Sequence, residues 1–234
     1  MIVSCFIHTS KNVTTLQSIE NIYNKVKMNN NWDKIKDDKS IERTVSALGE
    51  KGYEAFVVDN EEEALSKIKE LIPKGASVMN GSSVTLEQIG FVNFLESGGH
   101  GWDNLHEKIL AEKDPAKQSA LRKQSALADY YLGSVHALIE NGEFIIASNT
   151  GSQLSHVVFT STNLIFIIGT QKIVPTLSDG MKRLEEYVVP LEDNHMKEKY
   201  GVGTTLNKIV IFKGESSYSA RKIRFILVNK KLGF

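Results

Sequence analysis

The sequence predicts an α/β protein: an open, mostly parallel sheet flanked by helices, preceded by a helical segment. Three observations carry this. A strand–helix–strand pattern with short joints runs from residue 53 to residue 79, a polar turn joins its second strand to another helix, and a wholly apolar strand at residues 164–168 recurs late in the chain. Apolar runs alternating with amphipathic helices are the pattern of right-handed parallel units. A chain of 234 residues can bury a large core without staples. The expected division is a helical segment at residues 1–50 and the α/β domain at 51–234.

In chain order, residues 14–28 carry Leu16, Ile19, Ile22, Tyr23 and Val26 at helical spacing. Residues 32–48 give a second helix, stopped at Gly52, and residues 53–58 a strand. Residues 61–72 form an amphipathic helix with Ala64, Leu65, Ile68, Leu71 and Ile72 on one side, and Glu61, Glu62 and Glu63 suit the positive end of its dipole. A strand begins at Ala76, and a helix with Leu86, Ile89, Val92 and Leu95 follows the Asn80–Thr85 turn. Residues 102–128 are mostly helical with a break at Asp114-Pro115, and the sheet resumes at Asp129. Val135, Ala137 and Ile139 alternate before Asn141-Gly142, and Phe144 to Ala147 follow, which predicts a hairpin closed by a two-residue turn. A helix at 178–188 is expected to end at Pro190, and residues 208–212 and 223–228 supply closing strands.

Lysine plus arginine equal aspartate plus glutamate at 28 each, so no net field favours nucleic acid or an anionic membrane. The single Cys5 excludes an intramolecular disulfide and any all-cysteine metal cluster. The six histidines are scattered without ligand spacing, so no metal is expected, and no motif specifies a cofactor. No apolar run reaches membrane length, and a cytoplasmic protein is expected.

Two polar loops are candidates for holding an anion. Asn80, Gly81, Ser82, Ser83 and Thr85 lie between a strand and a helix, where free N–H groups and hydroxyls suit a phosphate or carboxylate. Simple N-capping by Ser82 or Ser83 explains the same residues. The second loop, Ser148 to Gln153, contains Asn149, Thr150, Gly151 and Gln153 and follows the hairpin. It is not a Walker loop, a GxGxxG turn or a GxSxG elbow. Carboxylates near the loops, Glu140 and Asp129, are the candidates for acid, base or nucleophile. Each also has a plain reading, as an exposed turn charge and a helix-end residue respectively.

The blocks NGSSVTLEQIG, ADYYLGSVHALIENGEFIIASNTGSQ, NLIFIIGTQKIVPTL and ILVNKKLGF, in this order from residue 80 to residue 234, resemble the LUD-domain family of lactate-utilisation proteins. The resemblance covers residues 53–234 and implies a Rossmann-like fold of the sugar-phosphate isomerase and CoA-transferase-like superfamily. It matches Ser82, Ser83 and Thr85 to a small-polar helix start, and Gly133-Ser134 with residues 137–142 to a strand and acidic turn carrying Glu140. Asn149-Thr150-Gly151 matches a polar glycine loop, and residues 169–175 a strand exit carrying Lys172. The chain departs at Gly151-Ser152, where the family often has Gly-Asn, and a lost amide changes which acceptor is bound.

The resemblance implies a role in oxidising lactate to pyruvate beside subunits that carry iron–sulfur clusters, which a chain with one cysteine cannot hold itself. Three expectations follow: an organic-acid (lactate) utilisation protein binding an anionic carboxylate or phosphate at the strand carboxyl ends; a non-catalytic accessory or ligand-sensing subunit of a lactate-oxidising complex; and, on fold analogy alone, a CoA-transferase or sugar-phosphate isomerase-like enzyme. In the first, Ser82-Ser83 and Thr150-Gly151 hold the anion and Lys172 is its counter-charge.

Overall fold

The structure, a computed structural model, describes residues 32–234. The helix expected at 14–28 lies outside the described residues. A compact unit spans Asp33–Phe234, so the first described helix, α1 (Asp38–Glu50), belongs to the same body as the sheet. Asp37 caps α1 by accepting the Ser40 N–H.

The frame is a six-stranded sheet of β1 (Glu54–Val58), β2 (Ser77–Asn80), β3 (Asp103–Asn104), β4 (Tyr130–Gly133), β7 (Asn163–Gly169) and β10 (Lys222–Val228). Its order is β1-β10-β7-β4-β2-β3 and every pair is parallel. β7 lies at the centre and is buried from Leu164 to Gly169, which is why it reads as an unbroken apolar run.

Alternate residues feed two cores. Leu164, Phe166 and Ile168 with Phe225 and Leu227 pack on one face against α1 and a second sheet. Ile165, Ile167, Ile226 and Val228 pack on the other against α2 (Glu61–Leu71), α3 (Val84–Gln88) and α4 (Phe91–Glu96). The helix expected after residue 84 is two short ones because Gly90 takes φ 74° between them. Asp114 caps α6 (Pro115–Gln124), which follows α5 (Leu105–Ala111), so the break at Asp114-Pro115 is a helix start.

The second sheet, in the order β8-β5-β6-β9, joins β5 (Ala137–Ile139), β6 (Phe144–Ser148), β8 (Ile173–Val174) and β9 (Lys208–Phe212). β9 pairs antiparallel with β6 and so belongs to this sheet rather than to the parallel one. The β5–β6 hairpin forms as the alternation predicts, but its loop has three residues. Gly142 N–H bonds Ile139 C=O and Ile139 N–H bonds Glu143 C=O, with Gly142 alone supplying the left-handed residue of the bulge at φ 81°.

Pro190 does not end its helix. α7 (Leu177–Arg183) passes through a wide turn, Leu184–Val188, into α8 (Val189–Tyr200). Pro190 sits in the first turn of α8, where its missing N–H costs nothing.

Candidate functional site

Five chain segments leave strands at their carboxyl ends and meet around a cleft of about 330 Å³. Gly81, Ser82, Ser83 and Thr85 come from the exit of β2, Gly133 and Ser134 from that of β4, and Lys172 from that of β7. Asn149, Thr150 and Gln153 come from the loop after β6, and Gly233 and Phe234 from the chain after β10. The structure thus gathers most of the binding residues expected from sequence. Asn80 and Gly151 support the lining without joining it. Asn80 is 5% exposed, and Gly151 donates its N–H to Ser148 Oγ at 2.9 Å, so that N–H is already used.

The loop hydroxyls and amides are largely employed in holding the walls. Ser83 is the N-cap of α3, its Oγ accepting Leu86 N–H at 3.4 Å, so the capping reading holds for this residue. Asn149 stitches its loop to the segment after α8, accepting from Asn207 Nδ2 at 2.7 Å and donating to Thr204 Oγ1 at 3.4 Å. Gln153 Nε2 donates to Ala147 C=O at 2.9 Å. A Cβ on Gly81 would stand 2.5 Å from Tyr131 Oη, so only glycine lets this loop pass over the buried tyrosine.

Lys172 is the central charge. It is 4% exposed, and its Nζ donates to Thr85 Oγ1 and to Ser134 Oγ, each at 3.1 Å. No carboxylate among the described residues pairs with it. Burial, with the Arg183 charge behind it, holds the ammonium well below the usual lysine range. Arg183 is itself fully buried and donates Nη1–H to the His136 carbonyl, while its Nε and Nη2 have no hydrogen-bond partner among the described residues.

Sequence reasoning assigned His136 no role of its own, yet it lines the cleft. Ala147 N–H donates to its Nδ1 at 3.1 Å, so Nδ1 is unprotonated and the neutral ring carries its proton on Nε2. Burial first, then the charges of Lys172 and Arg183, push its pKa down to about 3. Two basic side chains, Lys172 lining the cleft and Arg183 behind it, thus act on the His136 ring.

Sequence reasoning also missed Val188, Glu192, His195 and Met196, which line the cleft from one side of the helical stretch around α8. Their spacing of four, three and one is a single helix face. It was hidden because Pro190 was read as a helix end. Burial raises the Glu192 carboxyl above its ordinary range, and the His195 ring lies 6.0 Å from that of Phe234.

The two candidate carboxylates lie elsewhere. Asp129 accepts Ser77 N–H at 3.0 Å and Ser77 Oγ–H at 2.6 Å, and its carbonyl accepts Asn163 N–H at 3.0 Å. Ser77 and Asn163 begin β2 and β7, so Asp129 ties the amino ends of the strands, a strand length from the cleft. Glu140 accepts Ser40 Oγ–H at 2.6 Å and pairs with Arg43 at 3.1 Å, tying the hairpin to α1.

The Arg43 hydrogen bond, above all, holds the Glu140 carboxyl below its ordinary range. Stability from such a group is present above the unfolded-state carboxylate pKa and is lost as pH falls through the lower folded value. Glu140→Gln should therefore cost a small amount of stability at neutral pH, because the pair is largely solvated, and should converge with the wild type in acid. Melting curves across pH check this, and the variant should respond to cleft ligands as the wild type does.

A parallel α/β sheet with a polar cleft at its strand carboxyl ends defines the class of architecture. Within that class, a family model for the LUD domain matches residues 41–218, and the chain belongs to the LUD-domain family, whose members are linked to lactate utilisation. A crystal structure of a DUF162 family protein from Deinococcus radiodurans shares the fold, with a TM-score of 0.52 at 12% identity over 81% of this chain and 96% of that one. No curated protein matches the chain. Among the described residues, no helix is long and apolar enough to cross a membrane.

Proposed function

We propose that the chain is an organic-acid utilisation protein that binds a small anion, a carboxylate or phosphate, in this cleft. One observation carries the reading: Lys172 is buried at the cleft floor without a carboxylate partner. An isolated buried ammonium is costly, and an anionic ligand supplies the missing counter-charge. Thr85 and Ser134 orient Nζ, and His136 offers Nε2–H.

Family membership supports lactate or its oxidation product as the anion. It also supports iron–sulfur subunits of a lactate-oxidising complex as partners, because one cysteine cannot carry a cluster. The test is thermal unfolding in the presence of lactate, pyruvate, phosphate and sugar phosphates. A ligand at a hundred times its Kd should add about 2.7 kcal/mol of stability. A melting temperature unmoved by every anion in the panel would sink the reading.

A further inference from the structure

Lys172 Nζ has a defined environment. Its two hydrogen bonds go to the hydroxyls of Thr85 and Ser134, both 3.1 Å away. In the neutral amine these bonds use both N–H hydrogens, and the tetrahedral nitrogen keeps its lone pair unengaged. The backbone of Gly233 closes one side, since a Cβ there would lie 3.0 Å from Nζ and 2.4 Å from Thr85 Oγ1. The remaining approach is through the cleft, which Lys172 lines together with Ser134 and His136.

We propose that Lys172 is a carbonyl-reactive amine, and that the cleft takes a small 2-oxo acid and holds it as an imine on Nζ. The proposal deepens the anion-binding reading and rests on it. Three features support it beyond simple charge pairing. The side chain is buried with no carboxylate beside it, and burial together with the neighbouring Arg183 charge favours the neutral, nucleophilic amine. The Arg183 guanidinium behind Lys172 and His136 keeps its charge and suits the carboxylate of the same small molecule. The hydroxyls of Ser134 and Thr85 touch the nitrogen, where protons must be relayed.

The chemistry balances without an oxidant or reductant. The Nζ lone pair attacks the carbonyl carbon, and the carbonyl π pair moves to oxygen, which takes up a proton to give a carbinolamine. The nitrogen lone pair then expels that oxygen as water after a second proton reaches it. The two hydrogens of the amine leave with the water, and a C=N bond replaces the C=O. The 2-hydroxy acid that corresponds to the 2-oxo acid has no ketone carbonyl, so it binds as an anion but forms no covalent bond.

The full chain incubated with pyruvate and then treated with borohydride should gain one adduct, trapped as a secondary amine and mapped to the peptide containing Lys172. Lactate handled identically should leave no adduct, and Lys172→Met should lose the pyruvate adduct. Should that variant fail to fold, peptide mapping of the wild type still decides the site. A rise in melting temperature with pyruvate but no adduct, or adducts spread over surface lysines alone, overturns the imine and leaves anion binding standing. Absence of both the adduct and the melting shift overturns both readings.

Discussion

Phe144→Ala should lower the free energy of unfolding by about 3–5 kcal/mol, the usual cost of deleting a fully buried phenylalanine. The position is more demanding than its burial alone implies. Phe144 lies on β6 of the small sheet, where its ring stacks on Phe212 of β9 at 4.4 Å and 5°. It also reaches Phe166 on β7 at 5.5 Å and Phe225 on β10 at 5.3 Å, both in the large sheet, and Tyr53 ahead of β1 at 6.0 Å. These tilted and edge-on contacts add to the area term.

One ring therefore couples the two sheets, and the cavity it leaves cannot collapse without shifting strands already fixed by their ladders. For a chain of this size the loss corresponds to a fall in Tm of roughly 6–20 °C. Denaturant titration checks it. A midpoint within error of the wild type would mean that the two sheets do not share this core.

The same cluster shows what the chain discloses locally. The parallel strands β2, β4 and β7 were legible because each is a short apolar run ending in Asn80, Gly133 or Gly169, where the backbone turns out to the cleft, whereas β3, the polar pair Asp103–Asn104, lies in a stretch that reads as helical. The α2 helix and the β5–β6 hairpin were legible for the same reason, since their patterns are local. Assignment of β9 to the second sheet was not, because Lys208–Phe212 has the same composition whichever sheet it joins.

The site divides along the same line. Polar loops at strand ends are visible in sequence, and Lys172 stood out through family resemblance. His136, Tyr131 and the Glu192–His195 face acquire meaning only when distant segments meet, and no spacing rule connects residue 136 to residue 183 or residue 85 to residue 233. Glu140 shows the converse. An acidic residue beside a turn resembles a functional group until α1 arrives with Ser40 and Arg43 to occupy it.

Lys172→Met should move two observables in opposite directions. The ligand-induced rise in melting temperature should disappear, since removing a buried charge that meets a ligand anion costs about 2–5 kcal/mol of binding. The unliganded protein should be as stable as the wild type or more so, because an apolar side chain of similar length removes the cost of burying an unpaired ammonium. The pH dependence fixes the origin of that gain. The Lys172 ammonium titrates lower in the folded state than in the unfolded chain, so between those two values the unfolded state binds the extra proton and wild-type stability rises with pH. The penalty is full below the folded value and gone above the unfolded one, so the advantage of the methionine variant should shrink as pH rises toward the ordinary lysine range. A methionine variant less stable than the wild type at every pH would mean that the bonds to Thr85 and Ser134 outweigh the cost of the charge. Lys172 would then be a structural tie between β2 and β4 exits rather than a group held in readiness for an anion.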